Sequence, residues 1–265
     1  MTAPDPTETT GFDADWLALR ASADARARDS GLLATMIQEL PRHPPLRILD
    51  LGAGTGNTMA ALSPALPRKQ HWRLVDADAA LLDRVTPPTG VQAETATADL
   101  ARDLKTVLAW RADLVTTSAF LDLAGEDWLR ALAQALAEQR LPIYAALSYT
   151  GAEIWEPSHA ADPAVLAAFH TDQRRDKGLG PALGPAAHAR FVRVLRAEGY
   201  TVIEGASDWV LEAPRDTALI RELARGIGQA VAPALGDTAT AWETARATAA
   251  RVRIAHSDLL GLPPG

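Results

Sequence analysis

The run Ile48-Leu49-Asp50-Leu51-Gly52-Ala53-Gly54-Thr55-Gly56-Asn57 places an acid ahead of glycines on alternate positions. Glycine lets the main chain turn tightly and lets a ligand approach it, and the amides that open the next helix point outward. Such a segment suits a nucleotide-type ligand. A dinucleotide fingerprint, G-x-G-x-x-G, would need glycine where Asn57 stands, so the spacing here is D-x-G-x-G-x-G. Further on, Asp76, Asp99, Thr117 and Ser118 each close a β-type run. Two later stretches hold acid-base and anion chemistry. SYTGAEIWEPSH contains Tyr149, Trp155 and His159, and FHTDQRRDKG contains His170, Asp172, Arg174, Arg175 and Lys177. Aromatic rings can wall a pocket, paired arginines can clamp a carboxylate or phosphate, and a histidine near its reference pKa can take a proton. Plainer readings stand beside these: Asp76 and Asp99 also suit helix caps, Thr117 and Ser118 ordinary strand ends, and the charged run a solvated loop.

Positioning those residues requires short β-type runs alternating with helices. The runs fall at 46–51, 72–76, 91–97, 112–117 and 141–148, and the helical stretches at 58–66, 79–85, 100–110 and 128–139. This alternation implies crossover connections and a largely parallel sheet. Ahead of it, Trp16, Leu17, Leu19, Leu32, Leu33, Met36, Ile37 and Leu40 are spaced along one or two helices, with RDSG as a break between them. The first dozen residues have almost nothing to bury and read as unstructured. Alternation fails over 150–185, which reads as an insertion or lid with a short helix at 165–170. A helix at 186–198 follows, then GYTVIEGASDWVLEA, which reads as an antiparallel hairpin. From Arg215 the chain is expected to be helical, interrupted by Gly226, Gly228 and Pro233, and to fray at GLPPG. The resulting division is a tail with capping helices over 1–45, a core of 46–149 plus 186–213, a lid of 150–185, and a helical extension over 214–265.

With 265 residues, nearly half of them apolar, the chain can build one sizeable α/β core. A formal charge of −7 argues against nucleic acid and for a small-molecule partner. Cysteine is absent, which excludes disulfides, thiolate metal sites and a cysteine nucleophile, and makes the cytoplasm the expected address. No apolar run is long enough to cross a bilayer, and no secretory signal is recognisable near Met1.

The segment LDLGAGTGN resembles motif I of the class I S-adenosylmethionine-dependent methyltransferases. That resemblance implies a doubly wound, mostly parallel seven-stranded sheet ending in a C-terminal antiparallel hairpin, with S-adenosylmethionine as cofactor and S-adenosylhomocysteine as product. It implies that Asp50, Gly52, Ala53, Gly54, Gly56 and Asn57 form the cofactor loop. Asp76, with Ala77 beside it and Asp78 as a near alternative, would hold the ribose hydroxyls. Asp99 and Leu100 would lie near the adenine, and Thr117 and Ser118 near the sulfonium.

Methyl transfer from a sulfonium depends mainly on holding donor and acceptor in line, so no strong catalytic signature is required. Tyr149, His159 and His170 are the candidate catalytic groups. Arg20, Trp155, Arg174 and Arg175 are the candidate substrate contacts, and they point to an anionic acceptor. No metal is expected, since Asp122, Glu126 and Asp127 better suit a helix start. Thr117-Ser118-Ala119-Phe120 replaces the NPPY-type motif of adenine and glutamine methylation. Homodimerisation is left open. A non-catalytic cofactor-binding protein on the same fold and a nicotinamide-dependent oxidoreductase are the alternatives.

Overall fold

Strand β1, Leu46–Leu51, divides its side chains between two apolar layers, Leu46 and Ile48 on one face and Leu49 and Leu51 on the other. Period-two alternation in a strand buried on both sides sets this up. The structure, a computed structural model, describes residues 13–67 and 69–264. The expectation for the first dozen residues lies outside them.

Around β1 the sheet assembles in the order β3-β2-β1-β4-β5-β8-β6, with β7 pairing β8. The parallel part consists of β2 (Gln70–Asp76), β3 (Gln92–Thr97), β4 (Leu114–Ser118) and the first half of β5 (Ile143–Glu156). One face carries α2 (Ser30–Glu39), α3 (Asn57–Leu62) and α4 (Ala79–Leu82), while α5 (Leu104–Leu108), α6 (Glu126–Gln139) and α8 (Ala187–Ala197) cover the other. Both faces are thus sealed, as parallel sheets require.

The C-terminal region differs from expectation. β6 (Thr201–Ala206) and β7 (Trp209–Glu212) do not pair with each other; each pairs antiparallel with β8 (Arg251–Leu262). The helical extension therefore ends at α10 (Asp237–Arg246), and GLPPG begins within a strand instead of fraying. Val252, Ile254, His256 and Asp258 all point into the protein, so the alternation is real but its last two members are polar. An eighth strand sits where the chain had been read as helix. Its insertion between β5 and β6 keeps the antiparallel ending while changing the partner of every late strand.

The 150–185 segment is only partly an insertion. β5 runs on to Glu156, and α7 (Asp162–Gln173) is a full helix. The outer ends of β5, β7 and β8 form a small sheet that packs on α1 (Ala14–Ala27), α7, α9 (Thr217–Leu235) and α10. Gly226, Gly228 and Pro233 do not break α9. At Gly228 a Cβ would lie 2.6 Å from Glu243 Oε2, so the missing side chain lets α10 come close.

A buried carboxylate ties these parts together. Asp258 of β8 accepts from Tyr144 Oη at 2.6 Å, from Leu147 N at 2.8 Å and from Asp29 N at 3.2 Å. Burial and the adjacent carboxylate push the Tyr144 hydroxyl far up, so it remains a donor. Asp258→Ala would strand these donors in the interior, and urea denaturation should show a loss of about 3 kcal/mol or more. A loss below about 1 kcal/mol, within the range of an ordinary hydrogen bond, would show that the knot is not structural.

Candidate functional site

The order of winding reverses at β1: β2 and β3 lie to one side, β4 and β5 to the other. Ligands in open α/β sheets bind at this point, beyond the strand carboxyl ends. A cavity of about 450 Å³ opens there. Its floor is Gly52, Ala53, Gly54 and Thr55, with Asn57 and Thr58 opening α3. The 76–81 turn forms one end, Ser118 to Phe120 with Leu123 forms the opposite wall, and Leu17, Arg20, Asp24 and Arg28 form the roof, joined by Lys177.

Local sequence explains the shape. Ala119, at the end of β4, has φ +50°, a left-handed conformation that an alanine adopts only where packing enforces it. The turn lays the Phe120 ring against the loop, so a Cβ on Gly52 would run into Phe120 Cδ2. Gly54, at φ +52°, faces Leu17 of α1 in the same way at 2.9 Å. The side chain of Asn57 donates to the Leu17 carbonyl at 2.7 Å. The residue that breaks the dinucleotide spacing therefore fastens the roof.

Asp76 lies beside the loop, where Oδ2 accepts from Gly54 N at 2.8 Å and Oδ1 from Asp78 N at 3.0 Å. Asp50 lies beneath it, fully buried; Thr116 Oγ1 donates to its Oδ1 at 2.7 Å, and Oδ2 has no partner. Burial pushes the Asp50 carboxyl up to about 7, against the counter-pull of the Thr116 hydrogen bond and the Arg28 charge. Ser118 Oγ accepts from Arg28 Nη2 at 2.9 Å and from Thr58 Oγ1 at 3.1 Å. With both lone pairs filled, its own hydrogen stays free to donate.

In the roof, Arg20 makes a two-pronged pair with Asp24 at 2.8 and 3.1 Å. Trp209 Nε1 donates to the same carboxylate at 2.9 Å, and its ring centroid lies 4.7 Å from the Arg20 guanidinium carbon. Buried charge is tolerated there because it is paired, hydrogen-bonded and stacked.

Several expected site residues lie elsewhere. Gly56, at φ +85°, is the N-cap of α3 and stays below the cavity. Asp99 accepts from Ala101 N at 2.9 Å and from Arg102 Nε at 2.8 Å, contacts within its own turn, and it does not line the cavity. The Leu100 side chain is buried in the core, and its carbonyl accepts from Trp128 Nε1. Thr117 Oγ1 donates to the Leu51 carbonyl inside the sheet, because strand alternation turns it inward. His159 lies in the turn ahead of α7, where its Nδ1 accepts from the Ala161 amide, and Trp155 packs edge-on to Trp242. Arg174 and Arg175 are exposed, the latter paired with Asp172.

Tyr149 and His170 do meet, but outside the cavity wall. The Tyr149 hydroxyl lies 2.8 Å from Glu153 Oε1 and 3.0 Å from His170 Nε2, with Trp155 Nε1 on the other Glu153 oxygen. Burial raises Tyr149 and Glu153 and lowers His170, so all three favour their neutral forms. Sequence reasoning missed Asp24, Arg28, Thr58 and Phe120. Arg28 stands in RDSG, which carried only a helix-break signal. Among the described residues no group of three or more His, Asp or Glu side chains could hold a metal ion, and no helix is long and apolar enough to cross a membrane.

No family model matches the sequence, and no curated protein does either. Among solved structures, the YcgJ protein of Bacillus subtilis is 16% identical, with a TM-score of 0.51 over 89% of this chain and 100% of its own. A cyclopropane-fatty-acyl-phospholipid synthase-like protein from Lactobacillus casei is 14% identical, with a TM-score of 0.51 over 95% of each chain. The cyclopropane synthase MmaA2 of Mycobacterium tuberculosis is 10% identical, with a TM-score of 0.51 over 96% of this chain and 100% of its own.

The raised Asp50 carboxyl makes a signed prediction. Between about pH 4 and pH 7 the native protein keeps a proton that the unfolded chain has lost, so ionisation opposes folding. Wild-type stability relative to Asp50→Asn should fall across that window, by up to about 1.4 kcal/mol per pH unit, and run level above it. Parallel denaturation midpoints from pH 4 to pH 8 would contradict the assignment. Strand order, crevice and structural likeness agree: the chain has the class I, Rossmann-like fold of S-adenosylmethionine-dependent methyltransferases.

Proposed function

We propose that this protein transfers a methyl group from S-adenosylmethionine to a small anionic acceptor in the cytoplasm, releasing S-adenosylhomocysteine. The observation that carries the reading is the joint placement of the glycine loop, Asp76 and Ser118 around one cavity at the β1 and β4 carboxyl ends. The polar groups suit the cofactor. Asp76 retains lone pairs for a ribose diol beyond the two amides it already accepts. Asp50 Oδ2, unpartnered and buried, suits an ammonium, and Ser118 has a free donor. Ala77 to Leu81 offer the small and apolar side chains that would flank the nucleoside.

When bound, S-adenosylmethionine supplies a methyl group already activated on a sulfonium. The chain's contribution is then orientation and exclusion of water by the roof. Arg20 is already paired with Asp24, so the support for an anionic acceptor is Lys177 at the cavity wall. Among the described wall residues there is no histidine, tyrosine or glutamate, and the carboxylates of Asp24, Asp76 and Asp78 already accept hydrogen bonds, which supports an acceptor that arrives as a nucleophile needing no dedicated base. That same feature favours a second reading, in which the protein binds the cofactor without turning it over; a labelled methyl group that never reaches any acidic metabolite would support it.

Calorimetric titration with S-adenosylmethionine and S-adenosylhomocysteine tests the cofactor assignment. Micromolar binding is expected, weakened more than tenfold by Asp76→Ala, which removes charge-assisted acceptors, and by Gly54→Val, which would strike Leu17. A folded wild-type protein that binds neither compound would sink the reading.

A further inference from the structure

Arg28 joins α1 to α2 and is 7% exposed. Its backbone is extended, at φ −55° and ψ 137°, and the next residue is fixed to the core. Asp29 caps α2 through Leu32 N at 2.7 Å, and its own amide reaches Asp258 Oδ2. The roof helix therefore meets the rigid body of the protein at Arg28.

The side chain turns inward and lines the cavity. Nη2 donates to Ser118 Oγ, and the guanidinium carbon lies 5.9 Å from the Tyr144 ring centroid. Nε and Nη1 are buried without any acceptor. A guanidinium withdrawn from water with donors unmade is costly, and the cost disappears when a planar anion takes the fork. The nearby Asp50 does not fill that role: no ion pair joins it to Arg28, and its own Oδ2 is also without a partner. Arg28 thus lacks a carboxylate and Asp50, whose charge it influences, lacks a cation, a combination that suits the two ends of an amino-acid zwitterion.

We propose that Arg28 reads a ligand carboxylate, that of the amino-acid end of the cofactor, and that this contact latches α1 over the cavity. The inference rests on the cofactor assignment above and extends it to a residue at the hinge of the roof. Several fastenings of α1 need no ligand: Asn57 holds the Leu17 carbonyl, Trp209 the Asp24 carboxylate and Asp216 the Arg26 guanidinium. Arg28 is completed only by an occupant bearing a carboxylate, so the whole cofactor tightens the roof further and its nucleoside alone does not.

The test compares S-adenosylhomocysteine with 5′-methylthioadenosine, which carries the same thioether nucleoside without the amino-acid end. Arg28→Gln should weaken S-adenosylhomocysteine binding by about tenfold to a hundredfold and leave 5′-methylthioadenosine within about twofold. In the wild type, S-adenosylhomocysteine should slow amide hydrogen exchange along α1, whereas 5′-methylthioadenosine should not. The variant should lose that protection. Arg28→Lys keeps the charge without the fork and should lose an intermediate amount for S-adenosylhomocysteine only, so it serves if Arg28→Gln fails to fold. Equal losses for both compounds, or none for either, would overturn the proposal and leave Arg28 a packing residue. If wild type binds 5′-methylthioadenosine as tightly as S-adenosylhomocysteine, the carboxylate contact is absent and the proposal fails while the nucleoside site stands. Binding of neither compound to folded wild type would instead remove the cofactor reading itself, and this proposal with it.

Discussion

Two series of crossovers leave β1 in opposite lateral directions, and their helices cover opposite faces of the sheet. No helix can then cross above the seam between β1 and β4, so a crevice opens there. The polar groups of the floor are placed by that seam. The glycine loop leaves the end of β1, Asp76 the end of β2, and Ser118 the end of β4. Apolar burial on both faces fixes strand register, and register in turn fixes which carboxylates and hydroxyls share the opening.

The seam is closed from above by parts distant in sequence. α1 supplies the roof, and the outer ends of β5, β7 and β8 with α9 support it from behind. Trp209 on β7 is the bridge, bonded to Asp24 and stacked on Arg20. The antiparallel strands are thus part of the site's architecture, although none of their side chains lines the cavity. Buried polar groups that are satisfied, such as Asp258, hold this arrangement. Of the buried groups without a partner, Arg28 lines the cavity and Asp50 lies beneath its glycine loop, where a ligand can complete them.

Most of the parallel core was legible in the sequence. The first run matches β1 at both ends, the next three fall within two residues of their strands, and the fifth finds the start of β5 but stops eight residues short of its end. The glycine loop was legible as well. What failed was reading that depends on a partner. The alternation R-V-R-I over 251–254 was visible, but polar His256 and Asp258 follow it, and only Tyr144, Leu147 and Asp29 reveal why a carboxylate belongs inside. β6 and β7 looked like a hairpin because their shared partner lies about fifty residues downstream. Residue types rich in chemistry misled most: His159 and Asp99 hold their own turns, while Arg28 was hidden in a helix break.

A crystal structure of the protein with S-adenosylhomocysteine is the most direct test of whether one crevice at the β1 and β4 ends holds the cofactor between the glycine loop and α1. Density is expected with the ribose on Asp76, the nucleoside along residues 77–81, and the amino-acid end between Asp50, Ser118 and Arg28, all beneath a closed α1. Ligand density anywhere else on the molecule, or in the crevice with the amino-acid end turned toward residues 77–81, would contradict it.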